Sequence, residues 1–288
     1  MRNILFILLL SCLNSLALCQ RKEHRLQRQL QDLIKGFKGT LGIYVKDLRN
    51  GKTVSINSDT IFPTASMIKI PILIGIMDKI NKGELGYHQN MVYKDSLLYA
   101  GVDLLGSFKN NETIELSKVM MLSLTMSDNT ASLWLQSLAG GGARINTILD
   151  SLGFRVTRVN SRTPGREMNR ALYGWGQTSP AEMVGLMEKM YQGNIINKAF
   201  SDKMIRLLGR NYWDEIAVSQ IPSTVYVASK GGAVDESRNE TLLVMAPHHP
   251  YIFSICTKNN KDTSWKDSNE AWQLTREISS LLWKTFGK

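Results

Sequence analysis

Strand-like segments lie near both ends of this chain and a long helical block lies between them, so a compact fold must bring the two ends together. Near the start, Leu41 to Val45 reads as a strand, Asn50-Gly51 as a tight hairpin turn and Lys52 to Ile56 as its partner. Strand character returns at Thr224–Ser229, Glu240–Ala246 and Tyr251–Thr257. The short turn His248-His249-Pro250 joins the last two and favours antiparallel pairing. From Arg21 to Lys38, Leu26, Leu30, Leu33, Ile34 and Phe37 recur at helical spacing, and Ser268 to Phe286 is a second amphipathic helix. Residues 66–200 carry apolar runs at helical spacing, broken by loops rich in Gly, Asn and Ser. The expected class is α+β: an antiparallel sheet flanked by N- and C-terminal helices, with an inserted all-helical domain. The α/β part is expected at about 20–65 and 205–288 and the helical part at about 66–204, with a cleft between them as the natural place for a site.

The first residues stand apart from this pattern. Arg2, the apolar run Ile4 to Leu10 and the small-residue end Ala17-Leu18-Cys19 describe a secretory signal peptide over residues 1–19. Cleavage after Cys19 and export to the periplasm is the expectation. Lipidation of Cys19 is the alternative, disfavoured by the bulky Leu18. Cleavage removes Cys12 and Cys19 and leaves Cys256 alone, so the exported chain has no internal disulfide and must rely on its core. With 288 residues and 43% hydrophobic composition it has enough apolar material for one. The formal charge of +10 comes from scattered basic residues rather than from a stripe, which argues for a solvated basic surface and against nucleic-acid binding. His88, His248 and His249 are too few and too badly spaced for a zinc site and His24 precedes the domain, so no metal and no cofactor is expected. No apolar face suggests a partner chain, which leaves a monomer as the default.

The strongest chemical signal is Phe62-Pro63-Thr64-Ala65-Ser66-Met67-Ile68-Lys69. A helix beginning near Met67, with Pro71 in its first turns, places Ser66 at a helix N-terminus, where free N–H groups favour developing negative charge. Lys69 then lies three residues on, within reach of the hydroxyl. Serine is a weak nucleophile until a neighbouring base takes its proton, and a desolvated lysine can be that base. Alone, a Ser-x-x-Lys string is cheap, and a capping serine before a surface lysine reads equally well. Two further elements follow: Ser127-Asp128-Asn129, after the apolar Val119–Leu124, and Lys230-Gly231-Gly232, after the strand ending at Ser229. Read singly, these are a helix cap and a glycine turn.

In this order and spacing the three motifs resemble those of class A β-lactamases and penicillin-binding proteins. The likeness runs from about Gln20 to Phe286. It is supported by Thr125-Met126 before Ser127, Thr130-Ala131 after Asn129, Gly140-Gly141 at the end of that helix, and Thr178-Ser179-Pro180 where the family closes its omega loop. The resemblance implies that Ser66 attacks the lactam carbonyl and that Lys69 activates it directly or through a hydrogen-bond network. Ser127 passes a proton to the leaving nitrogen, with Lys230 beside it. Asn129 holds the substrate's side-chain amide, Asp128 fixes the loop, and the N–H groups of Ser66 and Ala233, next to Gly232, form the oxyanion hole.

Two departures stand out. Class A enzymes carry an omega-loop Glu followed by Asn as Glu-x-x-x-Asn; here Thr163 falls at the Glu position and Glu167 at the Asn position. Either Glu167 reaches the hydrolytic water from its new place, or it pairs with Arg162, Arg166 or Arg170 and deacylation is slow. The expectation leans to Glu167 as the base, because the loop has no other carboxylate. Gly231 stands where the family has a hydroxyl that binds the substrate carboxylate, and Arg238 either compensates or is a strand-end surface charge. The expected function is β-lactam hydrolysis, with antibiotic resistance as its consequence. The rivals are a D-alanyl-D-alanine peptidase acting on cell-wall peptide and a penicillin-binding sensor that stays acylated.

Overall fold

The computed structural model describes residues 24–209 and 211–287. The expected export signal, with Cys12 and Cys19, lies outside the described residues. Residues 24–33 form helix α1. Strand β1 (Thr40–Asp47) and β2 (Thr53–Ile56) make the N-terminal hairpin, with Gly51 at φ +73° supplying the left-handed turn that only glycine adopts cheaply. A short β3 (Phe62–Pro63) leads into α2 (Lys69–Asn81) through a 3-10 helix over Ala65–Ile68. Pro71 sits in the first turn of α2, where its missing N–H would have had no helical partner.

The helical block continues through the small hairpin β4 (Asn90–Val92) and β5 (Thr113–Glu115), then α3 (Leu116–Thr125), α4 (Asn129–Leu138) and α5 (Gly141–Ser151). Strand β6 (Arg158–Val159), helix α6 (Glu167–Tyr173) and β7 (Gly176–Thr178) follow, then α7 (Pro180–Tyr191) and α8 (Lys198–Leu208). Strands β8 (Val227–Val234), β9 (Ser237–Val244) and β10 (Tyr251–Lys258) and helix α9 (Glu270–Phe286) complete the chain.

The five long strands form one antiparallel sheet in the order β2-β1-β10-β9-β8. The ends meet by direct pairing: β1 lies beside β10 along its whole length, with Thr40 opposite Lys258 and Asp47 opposite Tyr251. One face of the sheet packs on the terminal helices, where Leu26, Leu30, Leu274, Ile278 and Leu282 meet Ile43, Leu242, Phe253 and Ile255. The other face, through Leu243, Ile252 and Cys256, joins the core of the helical block. With both faces covered, β9 and β10 read as unbroken buried runs rather than alternating ones. Helix α2 is the hub of the block: every residue from Lys69 to Met77 is buried. Cys256 is a free buried thiol whose pKa is pushed up to about 12 by desolvation, a chemically quiet state.

One boundary differs from the sequence reading in a way that matters for the site. Lys230-Gly231-Gly232 is not a turn after the strand but lies inside β8, which begins at Val227 and runs on to Val234. The omega-loop segment, residues 160–179, contains the helix α6 and is closed by Trp175 O, which accepts from the N–H groups of both Asn160 and Ser161 at 2.8 and 2.9 Å. Helix α6 buries none of its residues, so it left no apolar stripe to detect.

Candidate active site

Ser66 sits on the 3-10 helix at the floor of a cleft of about 640 Å³, between the sheet edge and the helical block. Ala65, just before it, is held at φ +44°, a left-handed conformation that costs a non-glycine residue about 1–2 kcal/mol. Strand β8 sits tightly behind this turn. A Cβ on Gly232 would fall 2.5 Å from Thr64 O and 2.7 Å from Ser66 N, so only glycine allows the strand this close to the nucleophile's backbone. Ser66 and Ala233, the residue after Gly232, both line the cleft.

Lys69 occupies the first position of α2, 1% exposed, with Nζ reaching four oxygens. It lies 3.1 Å from Ser66 Oγ, 2.6 Å from Ser127 O, 3.1 Å from Ser127 Oγ and 3.1 Å from Asn129 Oδ1. An ammonium has three N–H groups for these four acceptors. Burial, aided by the positive charge of Lys230 and opposed by Asp128, holds its pKa well below the usual lysine range. The neutral amine has a lone pair, and the Ser66 hydroxyl can donate to it.

Ser127 sits between the two lysines. Its backbone is left-handed, φ +59°, which turns both its carbonyl and its hydroxyl towards Lys69. Lys230 Nζ donates to the same hydroxyl at 3.1 Å and to Gly231 O at 3.0 Å. Desolvation lowers the Lys230 pKa to about 8, with Glu240 pulling it back up. The motif residues Ser66, Lys69, Ser127, Asn129 and Lys230 thus form one hydrogen-bonded group drawn from three distant stretches of chain. Asp128 stands behind it, fully buried, accepting from the N–H groups of Leu104, Leu105 and Ala131.

Glu167 is not part of this group. It is exposed on the first turn of α6, its Oε1 accepting from the Gly165 N–H at 3.1 Å, and it does not line the cleft. Thr163 is buried instead, its hydroxyl donating to Ser161 O and packing beside Gly142 of α5. The loop's arginines are not ion-paired to Glu167 as the alternative reading expected. Arg166, for example, donates to Asn160 Oδ1 and Gln177 Oε1.

Arg238 also departs from both expectations, since it is neither a surface charge nor turned towards the nucleophile. It is 1% exposed and its guanidinium is stacked 4.4 Å from the ring of Trp265 and 4.9 Å from that of Trp272. It donates to the carbonyls of Val234, Asp235, Ser237, Thr263 and Ser264. Its aromatic partners come from the C-terminal segment, about 30 residues on, which is why sequence proximity to Lys230 misled.

Other cleft residues escaped the sequence reading. Tyr99 and Trp175 meet edge to face at 5.1 Å and, with Val102, Leu172 and Tyr173, make an apolar rim on the helical side. A second cavity of about 450 Å³ shares Ser66 and Ser127 with this cleft and is lined further by Lys230 and Glu240. No motif flagged Glu240, which lies in the polar first half of β9 with Arg238 and Asn239, where nothing in the sequence set it apart.

The family profile described as the β-lactamase enzyme family matches residues 25–286. Beta-lactamase VEB-1 of Pseudomonas aeruginosa is 21% identical over 296 residues, spanning 98% of this chain and 97% of its own. A class A β-lactamase from Mycobacterium abscessus superposes with a TM-score of 0.81 at 21% identity, covering 91% of this chain and all of its own. PBP-A gives a TM-score of 0.79 at 24% identity over 90% of this chain and 95% of its own. A point mutant of PBP-A has been solved as an acyl-enzyme complex with penicillin G. The match from residue 25 to residue 286, on a fold shared nearly end to end, makes this chain a member of the β-lactamase enzyme family.

Proposed function

We propose that the protein opens β-lactam amides through an ester on Ser66, with hydrolysis of that ester as the slow step. The observation that carries this reading is the continuous chain Ser66 Oγ, Lys69 Nζ, Ser127 Oγ, Lys230 Nζ, each link 3.1 Å long. Lys69, neutral because it is buried, takes the Ser66 proton, and Oγ attacks the lactam carbonyl. The oxyanion is met by the N–H groups of Ser66 and Ala233, an interaction worth about 3–4 kcal/mol per donor. The C–N bond then breaks, and the departing nitrogen takes its proton from Ser127 Oγ, which is resupplied by the adjoining ammonium groups. Asn129, at the cleft wall beside Lys69, is suited to hold an amide of the substrate's acyl side chain, with the Tyr99–Trp175 rim receiving its apolar end.

Deacylation needs a base aimed at water on the ester. The carboxylates around Ser66 are Glu236 in the cleft and Glu215, Glu240 and Asp267 in the second cavity, all away from the 160–179 loop. Water activation therefore falls to Lys69 and its neighbours, which favours a long-lived ester. The same feature supports a second reading, in which the ester is passed to an amine of cell-wall peptide rather than to water.

Rapid mixing with a chromogenic cephalosporin, followed by intact-protein mass spectrometry, separates these. The expected result is a burst of ring opening and an adduct on Ser66 that outlasts the burst, with no adduct in Ser66→Ala. Adduct-free wild-type protein after the burst would mean fast deacylation, and absence of any burst would end the acyl-enzyme reading. Glu167→Gln is expected to change the decay of the adduct by less than about twofold, since an exposed carboxylate outside the cleft is not the water's base. A tenfold slower decay would return Glu167 to that role.

Export through the N-terminal leader would place the enzyme in the periplasm, where β-lactams and cell-wall peptide both occur. Mass spectrometry of the mature N-terminus distinguishes simple cleavage from lipidation of Cys19. A monomer is the expected state, checked by light scattering.

A further inference from the structure

The second cavity carries a charge pattern at odds with the usual β-lactam substrate. In a penicillin or cephalosporin the carboxylate is borne by the carbon bonded to the lactam nitrogen. If Ser127 Oγ protonates that nitrogen, the carboxylate must lie within about two bonds of it, next to Lys230 and the Gly231 edge of β8. There is no hydroxyl at Gly231 to receive it, and the space where a Cβ would stand opens onto Glu240 Cγ, 3.9 Å away. Glu240 faces Gly231 directly across the β8–β9 ladder and lines the same cavity as Ser66, Ser127 and Lys230. It is 4% exposed; Oε2 accepts from the Ala217 N–H at 3.0 Å, and among the described residues Oε1 has no hydrogen-bond partner. Arg238, the other cation lining this cavity, has both terminal nitrogens engaged by backbone carbonyls and its guanidinium stacked on two tryptophans, so among the described residues only its buried Nε–H is without a partner.

We propose that Glu240 sets the charge selectivity of acylation: it disfavours substrates with an anion beside the leaving nitrogen and favours those with a neutral or cationic group there. This rests on the proposed acyl transfer by Ser66. An ammonium or amide N–H placed in the cavity would lie beside the Glu240 carboxyl and would gain Oε1, which is buried and unpartnered among the described residues, as its acceptor once the carboxyl turns towards it; Trp213, Trp265 and Trp272 line the same cavity. A carboxylate would meet a like charge in a desolvated space.

Selectivity of this origin varies with pH. Burial raises the Glu240 pKa to about 7, with the Ala217 N–H, Lys230 and Arg276 opposing and Glu215 reinforcing the shift. Asp267 and Arg238 face the same cavity. Below that pH Glu240 is a neutral O–H that can donate to an anion, and above it a carboxylate that repels one. The bias against anionic substrates should therefore grow as pH rises from 6 to 8.

The test uses one penicillin in three forms, the free carboxylate, its methyl ester and its dimethylaminoethyl ester, with acylation of Ser66 followed by intact mass. At pH 8 the wild type is expected to acylate with the cationic ester at least about tenfold faster than with the carboxylate, with the methyl ester between them. Lowering the pH to 6 should narrow that ratio in the wild type, while Glu240→Gln, checked for folding by circular dichroism, should narrow it at pH 8 and change it little at pH 6. A wild type that prefers the carboxylate at pH 8, or a ratio at pH 8 that Glu240→Gln leaves unchanged, overturns the proposal. If none of the three forms labels Ser66, it is the acyl-transfer reading that has failed. Calorimetric binding of the carboxylate and the cationic ester to wild type and Glu240→Gln then decides the charge preference, and equal wild-type affinities would overturn it.

Discussion

Lys69→Met is expected to slow acylation of Ser66 by roughly 10²–10⁴-fold while leaving the protein at least as stable as the wild type. The two halves of this result have one cause. A lysine that is 1% exposed is held in a medium that disfavours its charge, and Lys230, sharing the Ser127 hydroxyl, adds repulsion. Asp128 offsets only part of this. The same lowering of its pKa is what makes the amine more readily available as a base, and the same desolvation costs folding free energy.

The sign follows from linkage: the folded-state pKa lies well below the unfolded value of 10.5, so between the two the unfolded chain binds more protons and stability rises with pH. For Lys230 the window runs from about 8 up to 10.5. The lysines therefore add stability as pH rises between 8 and 10, opposed by the buried Cys256 thiol and Tyr251 hydroxyl, which lose it because burial raises their pKa; against this shared background Lys69→Met should gain less than the wild type over the same range. Methionine keeps the volume and removes the charge, although four oxygens lose a shared donor, so the net gain should be about 1–2 kcal/mol at pH 7. Stopped-flow acylation and urea unfolding read the two effects separately. Destabilisation by more than about 1 kcal/mol would show that the lysine's hydrogen bonds outweigh its burial.

Architecture was more legible in this sequence than site geometry. The hairpin turn at Asn50-Gly51, the apolar runs of β9 and β10 and the amphipathic C-terminal helix are local patterns, and local physics places them correctly to within a few residues. Ser66 and Lys69 are legible for the same reason, since a spacing of three along one turn keeps them together whatever the rest of the chain does. Their meeting with Ser127 and Lys230 has no local signature; only the order of motifs suggested it. Arg238 and Glu240 show the limit. They are neighbours on one strand, and what each does depends on segments far along the chain. Trp265 and Trp272 close over Arg238, and the Ala217 N–H reaches only one oxygen of Glu240. Likewise, Glu167 was the loop's one carboxylate by composition, yet α6 turns it outward, and a helix with no buried face leaves no periodicity from which that could be read.

Asp128→Ala should be the most damaging single substitution to the fold of the site, lowering stability by about 3–5 kcal/mol. The carboxylate is fully buried and both of its oxygens are used. Oδ2 accepts from Leu104 N at 2.6 Å and Leu105 N at 2.9 Å, and Oδ1 accepts from Ala131 N at 2.7 Å as the N-cap of α4. Alanine would leave three backbone donors without a partner. Each such loss costs about 1–3 kcal/mol, the cap accounting for one of them, and water reaching the half-exposed Leu104 edge would recover part of the total. Asp128→Asn keeps one acceptor oxygen and puts an NH₂ group where the other was, so it should cost roughly half as much. Acylation should fall in parallel, because Ser127 is held in a left-handed conformation only by what surrounds it. Once its neighbour no longer pins the 104–105 segment to α4, Ser127 can relax to an ordinary backbone conformation and take its hydroxyl away from both lysines. Urea midpoints for the wild type, Asp128→Asn and Asp128→Ala should therefore fall in that order, with acylation rates falling alongside them. A stable Asp128→Ala protein that acylates normally would mean that Ser127 is held by the lysines themselves and not by the carboxylate behind it.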